Sequence, residues 1–495
     1  MSGERQGKDG RHRGKTKTGR RIWILVLLVL LAVLAVCFAA ERISVGNGTA
    51  DGYSEETVSE EAKTESMMEG STELKEAEKD SVDTGTETGT EDSEDTATET
   101  GIREAEETAT EAGTGDSGET ETESEDAGTE PGKAGTEPEE AVNSETGSVE
   151  EQAAQLVSSL TLTEQIYQMF IVRPEQLTGV SVQTQAGSAT EQALSEYPVG
   201  GIVLFADNIQ TRKQVQSMIA GFQSYSSLGL FIAVDEEGGS VARVGKNSSM
   251  GTTAFPDMKE IGDSGDTNEA YQVGSVIGSE IAELGFNLDF APVADVDSNP
   301  DNPVIGDRSF SSDADVAAAM VTAAVEGFRD SGMLCTLKHF PGHGDTATDS
   351  HEGYTELDKS LEELWEVELV PFQAGIAAGA ELVMVGHISV PQVTGDDTPA
   401  SLSGTMLDIL REDLSFDGLI ITDSMQMEAI TDRYSSGEAA VLAVQAGVDV
   451  ILMPENLQEA VKGILDAVQE GRITEERIAE SAERILATKI RAGIL

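Results

Sequence analysis

Cysteine, aromatic residues and positive charge are all scarce in this chain, and each shortage removes a class of function. Two cysteines in 495 residues, Cys37 and Cys335, cannot build a disulfide framework. Aromatic residues make up 4% of the chain, too few for a carbohydrate-stacking module repeated along it. Lys and Arg number 32 against 91 Asp and Glu, for a formal net charge of −59. A chain so acidic cannot gather phosphates nonspecifically, which excludes nucleic acid as a general partner. Histidine is scarce too: there are five, one of them in the basic stretch at His12.

The charge is unevenly spread. Residues 1–50 carry a net +6, residues 51–150 a net −29, and the remainder −36. A basic tail over residues 1–21 precedes an uncharged run at 22–40, IWILVLLVLLAVLAVCFAA. Nineteen helical residues span roughly 28 Å, close to the hydrocarbon thickness of a bilayer. The run therefore reads as a transmembrane signal anchor, with the basic flank in the cytoplasm and everything after it outside the cell. Signal cleavage near Ala39–Ala40 and lipidation at Cys37 are the alternatives. Residues 41–150 are dominated by Glu, Asp, Thr, Ser, Gly and Ala, as in TGTETGTEDSEDTATETG. Such a segment buries too little apolar surface to offset chain entropy and reads as a disordered acidic linker. About 108 flexible residues reach roughly 55–60 Å root-mean-square, before self-repulsion lengthens them.

From residue 151 the texture changes, and 151–495 reads as one α/β domain. Eight short apolar runs recur, at 168–172, 200–205, 230–235, 286–292, 334–340, 382–388, 418–423 and 448–454. Each is continuous enough to be a strand buried on both faces, as in a parallel sheet. Helical patterns lie between most of them, and Thr161 with Glu164, Thr211 with Gln214, and Ser360 with Glu363 have capping-box spacing. Eight strand–helix repeats predict a TIM-like (β/α)8 barrel. A doubly wound sheet is the competitor, weakened because no GxGxxG follows the first strand.

Asp235, Lys338, His339, His387 and Asp423 all fall at C-terminal ends of predicted strands, which converge on one face of a barrel. Three histidines crowd KHFPGHGDTATDSH at 338–351, together with Asp345 and Asp349. Two chemistries could use this cluster. His339 and His343 have metal-ligand spacing, although only His387 is available from another strand. Alternatively, Asp349 accepts from one nitrogen of His351 and leaves the other to exchange a proton with substrate.

The segment 338–351 resembles the signature of family 3 glycoside hydrolases, in their bacterial β-N-acetylglucosaminidase (β-hexosaminidase) branch. The similarity continues through TLTEQIYQMFIV, VDEEGGSVAR, NLDFAPVADV, NPVIGDRSF and LIITDSMQM. The resemblance implies that Asp423 is the nucleophile, His351 the general acid/base and Asp349 its dyad partner. It also implies that Asp235, Arg243, Arg308, Lys338 and His339 hold the terminal sugar, and that neither a metal nor another cofactor is needed.

The chain departs from the family pattern at Ser240, where Arg is common, and at EGYTELDKS after His351, where Leu-Pro is usual. The α/β sandwich of many members does not follow the last helix of this sequence. The function these readings imply is a membrane-anchored, exo-acting, retaining β-N-acetylglucosaminidase with its catalytic domain outside the cell. Its expected partners are N-acetylglucosaminides such as muropeptides, and the membrane. Another β-glycosidase, a glycoside phosphorylase and an inactive binding module are the alternatives.

Overall fold

The computed structural model describes residues 147–495. The basic tail, the apolar run at 22–40 and nearly all of the acidic linker lie outside the described residues. Within 147–495 no helix is long and apolar enough to cross a membrane.

All eight apolar runs form parallel strands: β1 Phe170–Val172, β2 Gly201–Val203, β3 Phe231–Val234, β4 Leu288–Asp289, β5 Leu334–Phe340, β6 Leu382–Val385, β7 Leu419–Thr422 and β8 Ile451–Leu452. Their hydrogen-bonded order is β7-β6-β5-β4-β3-β2-β1-β8. A single parallel bridge, Ile421 with Val450, joins the two ends. Successive strands are neighbours throughout, so the sheet is a nearly closed barrel and not a doubly wound sheet.

Every residue of these strands is buried, which is why their sequences lack the alternation of a half-solvated sheet. Gly201 shows how tightly they pack. A Cβ there would sit 2.8 Å from the Phe231 side chain and 2.9 Å from Ile171. The large Phe231 can face that position only because β2 carries no side chain there.

Helices α1 Val149–Ser159, α2 Leu162–Gln168, α3 Arg212–Tyr225, α4 Thr267–Ala282, α5 Ala314–Asp330, α6 Leu369–Ala378, α7 Ser436–Ala446, α8 Leu457–Gln469 and α9 Glu475–Arg491 surround the barrel. The expected capping boxes at Thr161, Thr211 and Ser360 all form. Another, at Ser148 with Glu151, starts α1 two residues before the expected domain start at 151. Helix α1 lays Ala153 and Val157 against Ala482 and Leu486 of α9. Two-stranded ribbons add to the rim: Glu236–Gly238 pairs with Val241–Ala242 beyond β3, and Thr355–Glu356 pairs in parallel with Ile388–Ser389. The second ribbon ties the end of the histidine-rich loop to the segment after β6.

Candidate active site

The C-terminal strand ends open onto a cavity of about 420 Å³. Asp235, Arg243, Arg308, Lys338, His339, His351 and Asp423 all line it. Asp349 stands behind His351. The barrel thus brings together residues spread over nearly 190 positions of chain, because they lie at or after the ends of four strands, β3, β4, β5 and β7.

An ion network forms one wall. Lys338 Nζ lies 2.9 Å from Asp235 Oδ1 and 2.6 Å from Glu237 Oε1. Arg308 grips Glu237 with two hydrogen bonds, of 2.9 and 2.8 Å. Burial alone would raise the Glu237 carboxyl, but Lys338 and Arg308 outweigh it and hold the group far below the usual carboxylate range. Burial likewise opposes charge on Lys338, and Asp235 and Glu237 overrule it, so the ammonium is held above its ordinary value. The wall is therefore a fixed lattice of ions. Arg243 is looser, with its guanidinium 3.8 Å from Asp235 Oδ2.

His339 extends the wall. Its Nδ1 lies 2.7 Å from Oδ2 of fully buried Asp295, whose carboxylate also accepts the backbone N–H of His339 and His343. An ionised Asp295 can only accept, so the proton sits on Nδ1 of His339. Nε2 faces the cavity, 3.5 Å from Arg308.

Opposite stands Asp423, directly after β7. Its backbone N–H donates to Val385 O at 2.9 Å. Burial opposes its ionisation, but His339, His387, the Ser424 amide and His351 prevail, so the carboxyl titrates below its usual value. At neutral pH it is an anion, the form in which a carboxylate can act as a nucleophile.

His351 lies on the loop after β5, with its ring 62% exposed. Nδ1 is 2.9 Å from Asp349 Oδ1, and the His351 backbone N–H reaches the same oxygen at 2.8 Å. These bonds hold the Asp349 carboxyl below its usual value against the effect of burial. Nε2 has no protein partner among the described residues, and His351 lines the cavity.

His343 is a buried staple of that loop. Thr346 Oγ1 donates to the His343 carbonyl at 2.9 Å, so it must accept from His343 Nδ1, 2.6 Å away. Nε2 then accepts from Ser350 Oγ at 3.0 Å. Both ring nitrogens are thereby used within the loop that carries Asp349 and His351. Asp345 points elsewhere and pairs with Lys359 at 3.2 Å.

Sequence reading missed Glu237, Asp295, Arg173 and Phe205. Arg173 lies over the Phe205 ring at 5.0 Å, and Arg243 lies 5.8 Å from the same ring. Met384, Met427, Leu452 and Met453 give the cavity an apolar flank near Asp423.

The model of the glycosyl hydrolase family 3 N-terminal domain matches residues 161–488. The chain is 35% identical over 332 residues to β-hexosaminidase A of Pseudoalteromonas piscicida, covering 60% of this chain and 54% of that protein. It therefore spans about half the length of that relative. It is also 35% identical over 326 residues to β-hexosaminidase LpqI of Mycobacterium tuberculosis, covering 63% of this chain and 81% of that one. The solved structure of a glycoside hydrolase family 3 β-N-acetylglucosaminidase from Paenibacillus superposes with a TM-score of 0.64 at 38% identity. That match covers 68% of this chain and 63% of the Paenibacillus chain.

Proposed function

The chain belongs to glycosyl hydrolase family 3, and from that premise we propose that it is an exo-acting, retaining β-N-acetylglucosaminidase. The observation that carries the reading is the pairing, on one cavity, of the Asp423 carboxylate with a dyad whose free imidazole nitrogen is exposed.

In the first step Asp423 attacks the anomeric carbon while protonated His351 gives its Nε2 proton to the departing oxygen. The C–O bond to the leaving group breaks as the bond to the Asp423 carboxylate forms. In the second step neutral His351 takes a proton from water, whose oxygen displaces Asp423 and restores the original anomeric configuration. Asp349 fixes the ring and stabilises its charged form in both steps. Asp235, Arg243, Arg308, Lys338 and His339 supply charged and neutral hydrogen-bonding groups for the hydroxyls of a terminal sugar. Muropeptide fragments are the natural substrates in this reading.

The apolar run at 22–40 anchors the barrel to the outer face of the membrane in the same proposal. A chain beginning at residue 147, which retains the Ser148 cap, keeps turnover and leaves the membrane fraction; retention there contradicts the anchor.

The test is hydrolysis of 4-nitrophenyl β-N-acetylglucosaminide against the corresponding β-glucoside by the full chain and by Asp423→Ala. The proposal expects preference for the N-acetyl substrate, and loss of at least about 10³-fold in kcat for the variant. Preference for the glucoside, or a fully active variant, overturns it.

A further inference from the structure

His387 stands at a strand end but outside the machinery described above, and its contacts lead directly to Asp423. It follows β6, is 1% exposed, and uses both ring nitrogens. Nε2 lies 2.9 Å from the carbonyl oxygen of Ser424, and Nδ1 lies 2.7 Å from the hydroxyl of fully buried Ser401. A carbonyl only accepts, so the proton belongs on Nε2. Nδ1 of the neutral ring then accepts from Ser401, and burial favours that neutral form.

Ser424 is the residue after Asp423. Its N–H donates to Asp423 Oδ1 at 2.7 Å, and its carbonyl receives His387. The carboxylate is thus oriented by an amide whose own residue is pinned on the far side by an imidazole. The Met427 backbone N–H also donates to that carbonyl, at 3.1 Å, from within the same turn, so His387 is the donor that reaches it from another strand. Without His387 that carbonyl keeps only the Met427 amide, a bond within its own turn, and Ser424 loses the donor that ties it to the segment after β6.

We propose that His387 is a positioning residue for the nucleophile, acting as a neutral Nε2–H donor that fixes the Asp423 carboxylate through Ser424. The proposal rests on the reading of Asp423 as the nucleophile. His387 touches no substrate; it holds the carboxylate in line with the anomeric carbon. A misplacement of about 1 Å costs about 10²-fold in rate, so the loss falls on kcat, with sugar binding left to the opposite wall.

The geometry separates two conservative substitutions. Glutamine can place an N–H donor where Nε2 stands, whereas asparagine reaches only the Nδ1 position beside Ser401. The experiment uses the full chain with His387→Gln, His387→Asn, His387→Phe and Asp423→Asn, assayed on an aryl β-N-acetylglucosaminide, with melting temperatures recorded.

The phenylalanine and asparagine variants should lose about 10²-fold in kcat with KM within about threefold, and glutamine should recover at least about tenfold of that loss. If phenylalanine prevents folding, the comparison of glutamine with asparagine carries the test. Equal activity of those two, or a loss confined to KM, overturns the proposal. An active Asp423→Asn variant removes the nucleophile assignment and the proposal with it. An inactive one beside unimpaired His387 variants removes the proposal alone.

Discussion

Asp349 Oδ1 receives two hydrogen bonds from a single residue, the ring Nδ1 and the backbone N–H of His351, at 2.9 and 2.8 Å. The carboxylate thereby fixes both the tautomer and the angle of an otherwise exposed ring. Asp349→Ala should lower kcat by about 10²–10⁴-fold on substrates with poor leaving groups, the usual contribution of general acid catalysis. On a 2,4-dinitrophenyl glycoside, whose leaving group departs without a proton, the first step should fall by less than about tenfold. A leaving-group series measures this, and an equal loss across the series contradicts the acid role.

Glu237 joins Lys338 to Arg308 and is 2% exposed, so its removal leaves two cations without their shared partner. Breaking a buried pair in this way costs about 3–5 kcal/mol. Glu237→Ala should therefore shift the urea midpoint strongly downward, and KM should rise more than kcat falls, because the wall proposed to hold the sugar loses its frame. An unchanged midpoint contradicts the network's structural role.

Much of this is legible in the sequence alone. The eight strands were visible because a barrel strand is buried on both faces and leaves an unbroken apolar run in the sequence. Asp423, Lys338 and His339 were visible because each closes such a run. Glu237 was not, because in VDEEGG it is one acid among three, and only the fold selects which one meets Lys338 and Arg308. Asp295, in a loop after β4, carries no local sign that it will lie under His339. His343 fitted metal spacing on paper, yet both its nitrogens are spent on hydroxyls of its own loop. Spacing along the chain gives distance, whereas the side-chain direction comes from the packed loop.

Lys489 on α9 gives a pH dependence unrelated to catalysis. It is fully buried, donates at 2.8 Å to both Gln168 Oε1 and Gly229 O, and burial pushes its ammonium down to about 7. Below that pH both folded and unfolded chains carry the proton. Between about 7 and the ordinary value near ~10.4, only the unfolded chain holds it, so stability rises with pH. The slope contributed is at most about 1.4 kcal/mol per pH unit. Urea midpoints at pH 7 and 9 should show this rise in the native chain and a flatter response in Lys489→Met. Parallel responses contradict it.

The central claim is that Asp423 bonds to the sugar, and the mass of the trapped enzyme tests it most directly. An activated fluoro-sugar that glycosylates faster than its adduct hydrolyses should add one sugar mass to the full chain. After digestion that mass should lie on the peptide containing Asp423, and Asp423→Asn should remain unlabelled. A label on any other residue, or one that persists in Asp423→Asn, contradicts the account.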